Sequence, residues 1–218
     1  MEFIAVSDYL KRVKEVAEKS GRLKISIYIW GEEGTGKSHL ARYISHLAPI
    51  KPVIVEEEEL AQLTPKPGSF IVATGRTPFS SLPQQRLFEI DLHLLPLSHH
   101  PEDIPAFIDH FRQEGERELK LRGEVKIERP DLSQNLHSLK RQVYRHLLAP
   151  RSLSELEECA FQFYLNSPHF SWQELERTFL KGILEGAKTL YPTKMEMSKR
   201  LKFNRVTLIR RLKELFDE

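Results

Sequence analysis

The chain contains little cysteine, no long apolar run and no repeated or low-complexity segment, and each absence excludes a class of protein. A single cysteine, Cys159, among 218 residues excludes an internal disulfide framework and suits a reducing compartment. No apolar run reaches the roughly 20 residues that a membrane-spanning helix needs. The first ten residues include Glu2 and Asp8 and lack the pattern of a signal peptide. We therefore expect a cytoplasmic protein with no membrane partner.

The remaining composition is that of an ordinary globular protein, with 40% hydrophobic and 29% charged residues. The length allows one mid-sized domain and a small one. His99 and His100 are adjacent, and no cysteine or carboxylate near them has the spacing of a metal site. The histidines therefore predict no metal centre of their own.

The net charge of +2 conceals an asymmetry along the chain. Residues 188–218 contain nine Lys and Arg against four Asp and Glu, whereas the remainder contains 24 basic and 27 acidic residues. A basic C-terminal tail on a mildly acidic body is typical of a protein that binds nucleic acid at one end. A solvated helix face would give the same pattern.

The most specific motif is GEEGTGKS at residues 31–38, which matches the phosphate-loop pattern G-x-x-x-x-G-K-S/T in full. An apolar run precedes it and a helical pattern follows it, as the motif requires. Glycines let backbone N–H groups surround a polyphosphate, and the helix directs its positive dipole end at the same charge. The predicted nucleotide-binding residues are Gly31, Glu32, Glu33, Gly34, Thr35, Gly36, Lys37, Ser38 and His39. We expect Lys37 to contact the outer phosphates and the Ser38 hydroxyl to hold Mg²⁺, so that the cofactor is ATP or ADP with Mg²⁺.

Strand and helix patterns alternate through the first 95 residues, which predicts an α/β fold with a parallel, doubly wound sheet. Ser7 is a plausible N-cap of the first helix, Gly21 is predicted to end it, and Trp30 and Trp172 are predicted to be core residues. The expected strands cover residues 23–30, 52–55, 70–74 and 87–95, and the expected helices of this part cover residues 7–19 and 38–47. After Pro96, helices are expected from residue 101 through 111 and beyond and over residues 136–148. A helical part follows, with helices over residues 153–165, 172–187, 193–201 and 205–216.

The last two of these helices have the outline of a helix-turn-helix. Asn204 is a good N-cap for the second helix, and Arg205, Thr207 and Arg210 lie near its exposed start, where a recognition helix presents side chains to base edges. Lys199, Arg200 and Arg211, with the neighbouring Lys202 and Lys213, are candidate phosphate contacts. The alternative is a surface helical hairpin with solvated lysines.

These motifs together resemble the NtrC family of bacterial enhancer-binding proteins. The segments SDYLKRVKEVAEKSG and IYIWGEEGTGKSHLARYIS are similar to the entrance and phosphate loop of its AAA+ domain, QRLFEIDLHLLPLSHHPEDI to a later stretch, and LERTFLKGILEGA with MSKRLKFNRVTLIRRLKEL to its Fis-type domain. The resemblance implies a reduced AAA+ core at residues 1–97, a helical lid at 98–150, a linker helix at 151–170 and a Fis-type helix-turn-helix at 171–218. It implies double-stranded DNA as a partner, RNA polymerase or full-length relatives as further candidates, and a homodimer.

Departures from the family are as informative as the matches. The chain is expected to lack a receiver domain, the GAFTGA loop that contacts the sigma factor, and a clear Asp-Glu pair for Mg²⁺ and water. On this resemblance Glu57 or its neighbour Glu56 is a candidate for the missing carboxylate, and Arg86 keeps the second arginine finger. Gly75 stands where the family has the sensor-one asparagine, and His137 stands where it has a nucleotide-sensing arginine.

These departures favour a sequence-specific DNA-binding transcriptional regulator whose degenerate AAA+ module binds ATP or ADP but hydrolyses it poorly. Such a module is not expected to remodel the RpoN-type holoenzyme. One alternative is an active, ring-forming ATPase that uses Glu57 and Arg86. The other is a protein-interaction adaptor with a vestigial DNA-binding module.

Overall fold

The chain forms two compact units, Met1–Ala149 and Pro150–Glu218. The computed structural model describes residues 3–66, 68–120 and 124–216. No helix within these ranges has both the length and the apolar character needed to cross a bilayer. The finer division into core, lid, linker and helix-turn-helix stays a prediction.

The first unit is a mixed α/β fold built on a parallel four-stranded sheet. Its strands are β1 (Ile27–Gly31), β2 (Val53–Glu56), β3 (Ile71–Gly75) and β4 (Ile90–Leu94), and its helices are α1 (Asp8–Leu23), α2 (Lys37–Leu47), α3 (Ile104–Leu119) and α4 (Leu136–Leu148). The strand order is β2-β3-β1-β4, and every pair is parallel. The predicted α/β class with a parallel sheet is confirmed. Because β1 is central, the segment that follows it starts at the middle of the carboxyl edge of the sheet.

The two faces of the sheet are covered differently. On one face, Ile27 and Ile29 pack with residues of α1 and α2 such as Val13 and Leu40. On the other, Tyr28 and Ala73 pack against Leu60, Leu82 and Phe88, which belong to 3-10 turns and their flanks.

Among the described residues no α-helix contributes to this second cluster, so the prediction of a doubly wound sheet is wrong. The connections on either side of β3 contain Pro65, Pro78 and Pro83. Proline removes a backbone donor and disrupts a helix interior, so these short connections form turns.

The first helix confirms its predicted start but not its predicted end. The Ser7 hydroxyl caps α1 by accepting a hydrogen bond from Leu10 N at 3.0 Å. The helix continues through Gly21 and ends at Lys24, which adopts a left-handed conformation. A Cβ on Gly21 would lie 3.0 Å from the Ile44 carbonyl oxygen. Gly21 therefore permits close packing of α1 against α2 and does not stop the helix.

Helices α3 and α4 pack on each other through Phe111, Leu139, Val143 and Leu147. The buried Asp103 carboxylate joins the start of α3 to the beginning of the chain, because it accepts hydrogen bonds from Val6 N at 2.7 Å and Ser7 N at 2.9 Å. Burial raises the pKa of Asp103, but these donors and His100 outweigh that effect and hold the pKa below its usual range. The N-terminal segment is thereby held beside the helical pair.

The second unit is entirely helical in its described part. It contains α5 (Leu153–Asn166), α6 (Trp172–Leu190), α7 (Lys194–Leu201) and α8 (Arg205–Phe216). Its small core consists of Leu184, Ala187, Met197, Leu208 and Leu212. Trp172 is 75% exposed, so the prediction that it is a core residue is wrong. It occupies the first turn of α6, ahead of the residues that pack into this core.

Candidate functional site

The phosphate loop joins the end of β1 to the start of α2. Gly31, Gly34 and Gly36 have φ angles of 147°, 76° and 99°, which side-chain-bearing residues rarely adopt. At two of these positions space is also restricted, because a Cβ on Gly31 would collide with the Leu94 carbonyl and a Cβ on Gly34 with the Gln134 carbonyl. The sequence GxxGxG is therefore required by the backbone path that the loop follows.

Lys37 lies at the first position of α2 and reaches back over the loop. Its ammonium donates to the carbonyl oxygens of Gly31, at 2.9 Å, and of Glu32. Burial lowers the pKa of Lys37 and the nearby charge of Arg76 lowers it further, whereas Glu33 and Glu32 oppose the shift. The carbonyl contacts hold the cation within the concave side of the loop, where an anion would meet it.

The loop opens into a cavity of about 640 Å³, a size suited to a small-molecule ligand. Its polar wall comes from the loop and from the ends of β2 and β3, and its apolar wall from the start of the chain, β4 and the helical pair. The lining includes Glu33, Gly34, Thr35, Gly36, Lys37, Ser38, His39, Arg42, Glu56, Glu58, Thr74, Gly75, Arg76, Phe3, Ile4, Leu94, His100, Phe107, Phe111, Leu136, His137 and Lys140. Most of the predicted nucleotide-binding residues, including the distant His137, therefore share one cavity. Gly31 and Glu32 form the start of the loop outside this lining.

The start of α4 is hydrogen-bonded to the phosphate loop. Leu136 N donates to the Gly34 carbonyl at 3.0 Å, and the Asn135 amide donates to the Glu33 carbonyl at 2.9 Å and to the Glu32 carboxylate at 3.3 Å. The Asn135 side-chain oxygen in turn accepts from the buried Leu97 N at 2.9 Å. The sequence pattern did not predict this role for Asn135. Its contacts show that it fixes α4, the loop and the segment after β4 to one another.

The acidic stretch after β2 does not place Glu57 in the cavity. One oxygen of its carboxylate accepts hydrogen bonds from Arg76 N at 2.7 Å, Thr77 N at 3.0 Å and the Tyr28 hydroxyl at 3.1 Å. Burial raises the pKa of Glu57, but hydrogen bonds from Thr77, Arg76 and Tyr28 outweigh it and lower the pKa. Glu56 and Glu58, on either side, do line the cavity.

Gly75 lies directly beside this carboxylate. A Cβ at Gly75 would collide with the Glu57 carboxylate and with the Tyr28 hydroxyl. The Tyr28 hydroxyl shares its one proton between Glu57 and the Thr77 carbonyl oxygen, which lies 2.9 Å away, so the surrounding bonds fix this arrangement. Glycine is therefore the residue that this packing permits at position 75.

The predicted arginine lies outside the cavity, and a different arginine lies in it. Arg86 is exposed in a 3-10 turn, Gln85–Leu87, and does not line the cavity. Arg76, which sequence analysis did not select, does line it and forms an ion pair with Glu33 at 2.7 Å. The signal that could have identified Arg76 was its position directly after a buried strand, at the carboxyl edge of a parallel sheet.

In the second unit, α7 and α8 are joined by residues 202–204. Lys202 is left-handed, and the Asn204 side chain accepts from Val206 N at 3.0 Å just before α8 begins. Met197 on α7 and Leu208 on α8 are buried in one small core that both helices share. The two helices thus form the compact pair expected of a helix-turn-helix.

The predicted DNA-binding side chains are mostly on the surface of this pair. Lys199, Arg200, Asn204, Arg205 and Arg210 are exposed, whereas Thr207 and Arg211 are half-buried. Glu214 pairs with Arg210 at 3.6 Å and with Arg211 at 3.3 Å. Two exposed apolar residues on α8 were not among the predicted DNA-binding residues. They are Val206, which is 74% exposed, and Ile209, which is 42% exposed. Apolar side chains of this kind contact thymine methyl groups in major-groove recognition.

Comparisons with known proteins identify structural neighbours only. No protein-family model matches the chain, and no curated protein matches it. Crystal structures of NtrX from Brucella abortus match it at 14% sequence identity. The complex with ATP has a TM-score of 0.57 over 99% of this chain and 69% of NtrX, and the complex with ADP has a TM-score of 0.54 over the same shares. A third NtrX structure has a TM-score of 0.52 over 97% of this chain and 69% of NtrX. These likenesses show that the chain has an AAA+ NtrX-like fold.

Proposed function

We propose that this chain is a sequence-specific DNA-binding regulator of transcription whose first unit binds ATP or ADP with Mg²⁺ and hydrolyses it poorly. The observation that carries the proposal is the phosphate loop. Its three glycines have positive φ angles, and the loop opens with Lys37 into a cavity of about 640 Å³. NtrX, the neighbour in fold, has been crystallised with ATP and with ADP.

The residues present suit a nucleoside polyphosphate. The loop from Gly34 to Lys37 supplies backbone donors, which lie at the N-terminus of α2, and α2 adds its positive dipole end. Lys37 would hold the outer phosphates, and Ser38 would hold Mg²⁺. The bound metal would neutralise phosphate charge, while the chain itself binds and orients the nucleotide.

Poor hydrolysis is supported by what surrounds β3. A water-positioning carboxylate must be free to accept a proton or a hydrogen bond from the water. The Glu57 carboxylate instead accepts three hydrogen bonds from the protein, and Gly75 leaves no side chain beside it. Arg86 lies outside the cavity of its own chain. Together these features support nucleotide binding without efficient hydrolysis.

DNA binding is supported by the charge and shape of the second unit. Arg205 and Arg210 on α8 are exposed together with Val206 and Ile209, so cationic and apolar side chains share one accessible helix. Lys199 and Arg200 at the end of α7 are also exposed and would contact phosphates. Candidate partners are therefore double-stranded DNA and, in the same complex, RNA polymerase or full-length relatives, with the chain as a homodimer.

Nucleotide binding is tested by calorimetric titration of the purified chain with ATP and ADP in the presence of Mg²⁺. We expect Lys37→Ala to abolish or greatly weaken binding, since it removes the cation that the loop holds. Lys19→Ala is the matched control, because Lys19 is exposed on α1 and outside the cavity. If the unaltered chain binds neither nucleotide, the first half of the proposal is wrong.

DNA binding is tested by selection from a pool of random duplexes. A regulator enriches a sequence, and Arg205→Ala should relax that preference while Arg177→Ala, an exposed arginine on α6, should not. Absence of any enriched sequence would favour the interaction adaptor. Rapid ATP turnover that requires Glu57 would favour the active ATPase.

A further inference from the structure

Arg76 faces the phosphate loop from the opposite side of the cavity. It follows β3 directly, and its guanidinium Nη2 lies 2.7 Å from Oε2 of Glu33 in the loop. Both side chains line the cavity, yet they are 72% and 64% exposed. Because exposed ion pairs contribute little to stability and are readily exchanged, another anion in the cavity can compete for this arginine.

The backbone of Arg76 is held far more firmly than its side chain. Its N–H donates to Glu57 at 2.7 Å, and the next residue, Thr77, donates to the same carboxylate oxygen at 3.0 Å. The single Tyr28 hydroxyl proton is shared between Glu57 and the Thr77 carbonyl oxygen, which fixes the turn from a second direction. The Glu57 carboxylate is thus a positioning group that directs Arg76 at the loop.

The charges around the loop favour an additional anion. Lys37 and Arg76 are close enough for the charge of Arg76 to lower the pKa of Lys37, after the larger effect of burial. Glu33 and Glu32 offset this repulsion. A phosphate group placed between the two cations would replace the carboxylates in that role and can accept a bidentate pair of hydrogen bonds from arginine.

We propose that Arg76 distinguishes a nucleoside triphosphate from a diphosphate by exchanging its ion pair with Glu33 for a contact to the terminal phosphate. The loop binds the phosphates that both nucleotides share, and Lys37 reaches both the shared and the terminal phosphate, whereas Arg76 approaches from β3 and contacts only the terminal group. Glu33 then competes with the nucleotide, so the triphosphate is bound at the expense of one ion pair. This inference rests on the proposed nucleotide binding and assigns the part of that site that sets its preference.

The test compares the affinities of the full chain for ADP and for the non-hydrolysable analogue AMP-PNP, both with Mg²⁺, by calorimetry. Arg76→Gln should weaken AMP-PNP binding about tenfold, the size expected from one lost charge-assisted hydrogen bond, and should change ADP binding less than about twofold. Glu33→Gln should strengthen AMP-PNP binding, since it removes the competing carboxylate. Arg12→Gln, on the exposed surface of α1, is the control and should change neither affinity.

The outcomes separate this inference from the proposal on which it depends. If the unaltered chain binds ADP and AMP-PNP but Arg76→Gln leaves their ratio unchanged, the role of Arg76 is refuted and nucleotide binding stands. If the unaltered chain binds neither, both fail. ADP affinity is measured on each variant, so a misfolded variant is recognised because it binds neither ADP nor AMP-PNP. If Arg76→Gln is misfolded, Arg76→Lys is compared with the unaltered chain in its place. Arg76→Lys keeps the charge but loses the planar fork, so an intermediate ratio supports the inference and an unchanged ratio refutes it.

Discussion

Replacement of Asn135 by leucine should destabilise the first unit and loosen the phosphate loop. Asn135 is buried and lies immediately before α4, with φ 51°. Its side chain accepts from Leu97 N at 2.9 Å and donates to the Glu33 carbonyl at 2.9 Å. Leucine has a similar size but can replace neither bond.

The expected cost follows from two contributions. A buried Leu97 N–H without a partner costs about 1–3 kcal/mol, and loss of the hydrogen bond to the Glu33 carbonyl costs roughly 0.5–1.5 kcal/mol more. Asn135 has φ 51° and ψ −127°, a backbone conformation outside the left-handed α region that favours asparagine, so we expect no further cost from exchanging one side-chain-bearing residue for the other. We therefore expect the free energy of unfolding of the first unit to fall by about 3 kcal/mol.

Urea unfolding followed by tryptophan fluorescence can measure this change in the first unit alone. The chain has two tryptophans, Trp30 in the first unit and Trp172 in the second. In a Trp172→Phe background, all tryptophan fluorescence comes from Trp30. The Trp30 ring stacks on the His93 ring, with 3.8 Å between the ring centroids. The free energy of unfolding is then obtained by linear extrapolation from the urea midpoint and slope.

Two further variants identify the source of the effect. Asn135→Gly loses the same hydrogen bonds but tolerates the positive φ, so its cost should be about 1 kcal/mol smaller than that of leucine. Gln134→Leu alters the neighbouring exposed side chain and should change the free energy of unfolding by less than about 0.5 kcal/mol. A cost below about 1 kcal/mol for Asn135→Leu would refute the assignment of Asn135 as the joint between α4 and the loop.

Three other predictions concern Glu57, Ser171 and the basic surface. The pKa of Glu57 is lowered in the folded state, so its contribution to stability is complete above the ordinary pKa of a carboxyl group and is lost as pH falls through the folded-state pKa. Thermal melting should therefore show a lower melting temperature for Glu57→Gln than for the unaltered chain at neutral pH, and the difference in melting temperature should shrink in acid. Ser171 and Glu174 form a capping box at the start of α6, so Ser171→Ala should cost about 1 kcal/mol by circular-dichroism unfolding of the second unit. Lys199→Ala should weaken DNA binding similarly for all sequences and reduce its salt dependence by about one ion, in contrast to Arg205→Ala.

The sequence predicted those features of the first unit that depend on neighbouring residues. The phosphate loop and the helix after it were correctly placed, because glycine spacing and helix periodicity are local patterns. Helix α4 also has its predicted bounds, as does α8 in the second unit. Gly21 was misassigned because its role is a contact between two helices, which a helix-ending pattern cannot distinguish.

The parts of the site that the sequence did not reveal are contacts over long chain separations. Asn135 bonds to a residue 102 positions away, and Arg76 pairs with a residue 43 positions away. The three donors around Glu57 come from β1 and from the two residues after β3, which only the sheet brings together. Such partners follow from the order of the strands and from their register. The sequence predicted a parallel sheet but not the order or the register of its strands.

The most direct test of the account measures nucleotide binding and phosphate release in the same sample. The purified chain is saturated with Mg-ATP, bound nucleotide is quantified, and phosphate release is followed over many minutes beside Lys37→Ala. The account predicts stoichiometric binding with phosphate release no faster than that of the variant. Rapid release that both Lys37→Ala and Glu57→Gln abolish would contradict it, because Glu57 would then act on the attacking water and not as a clamp for Arg76.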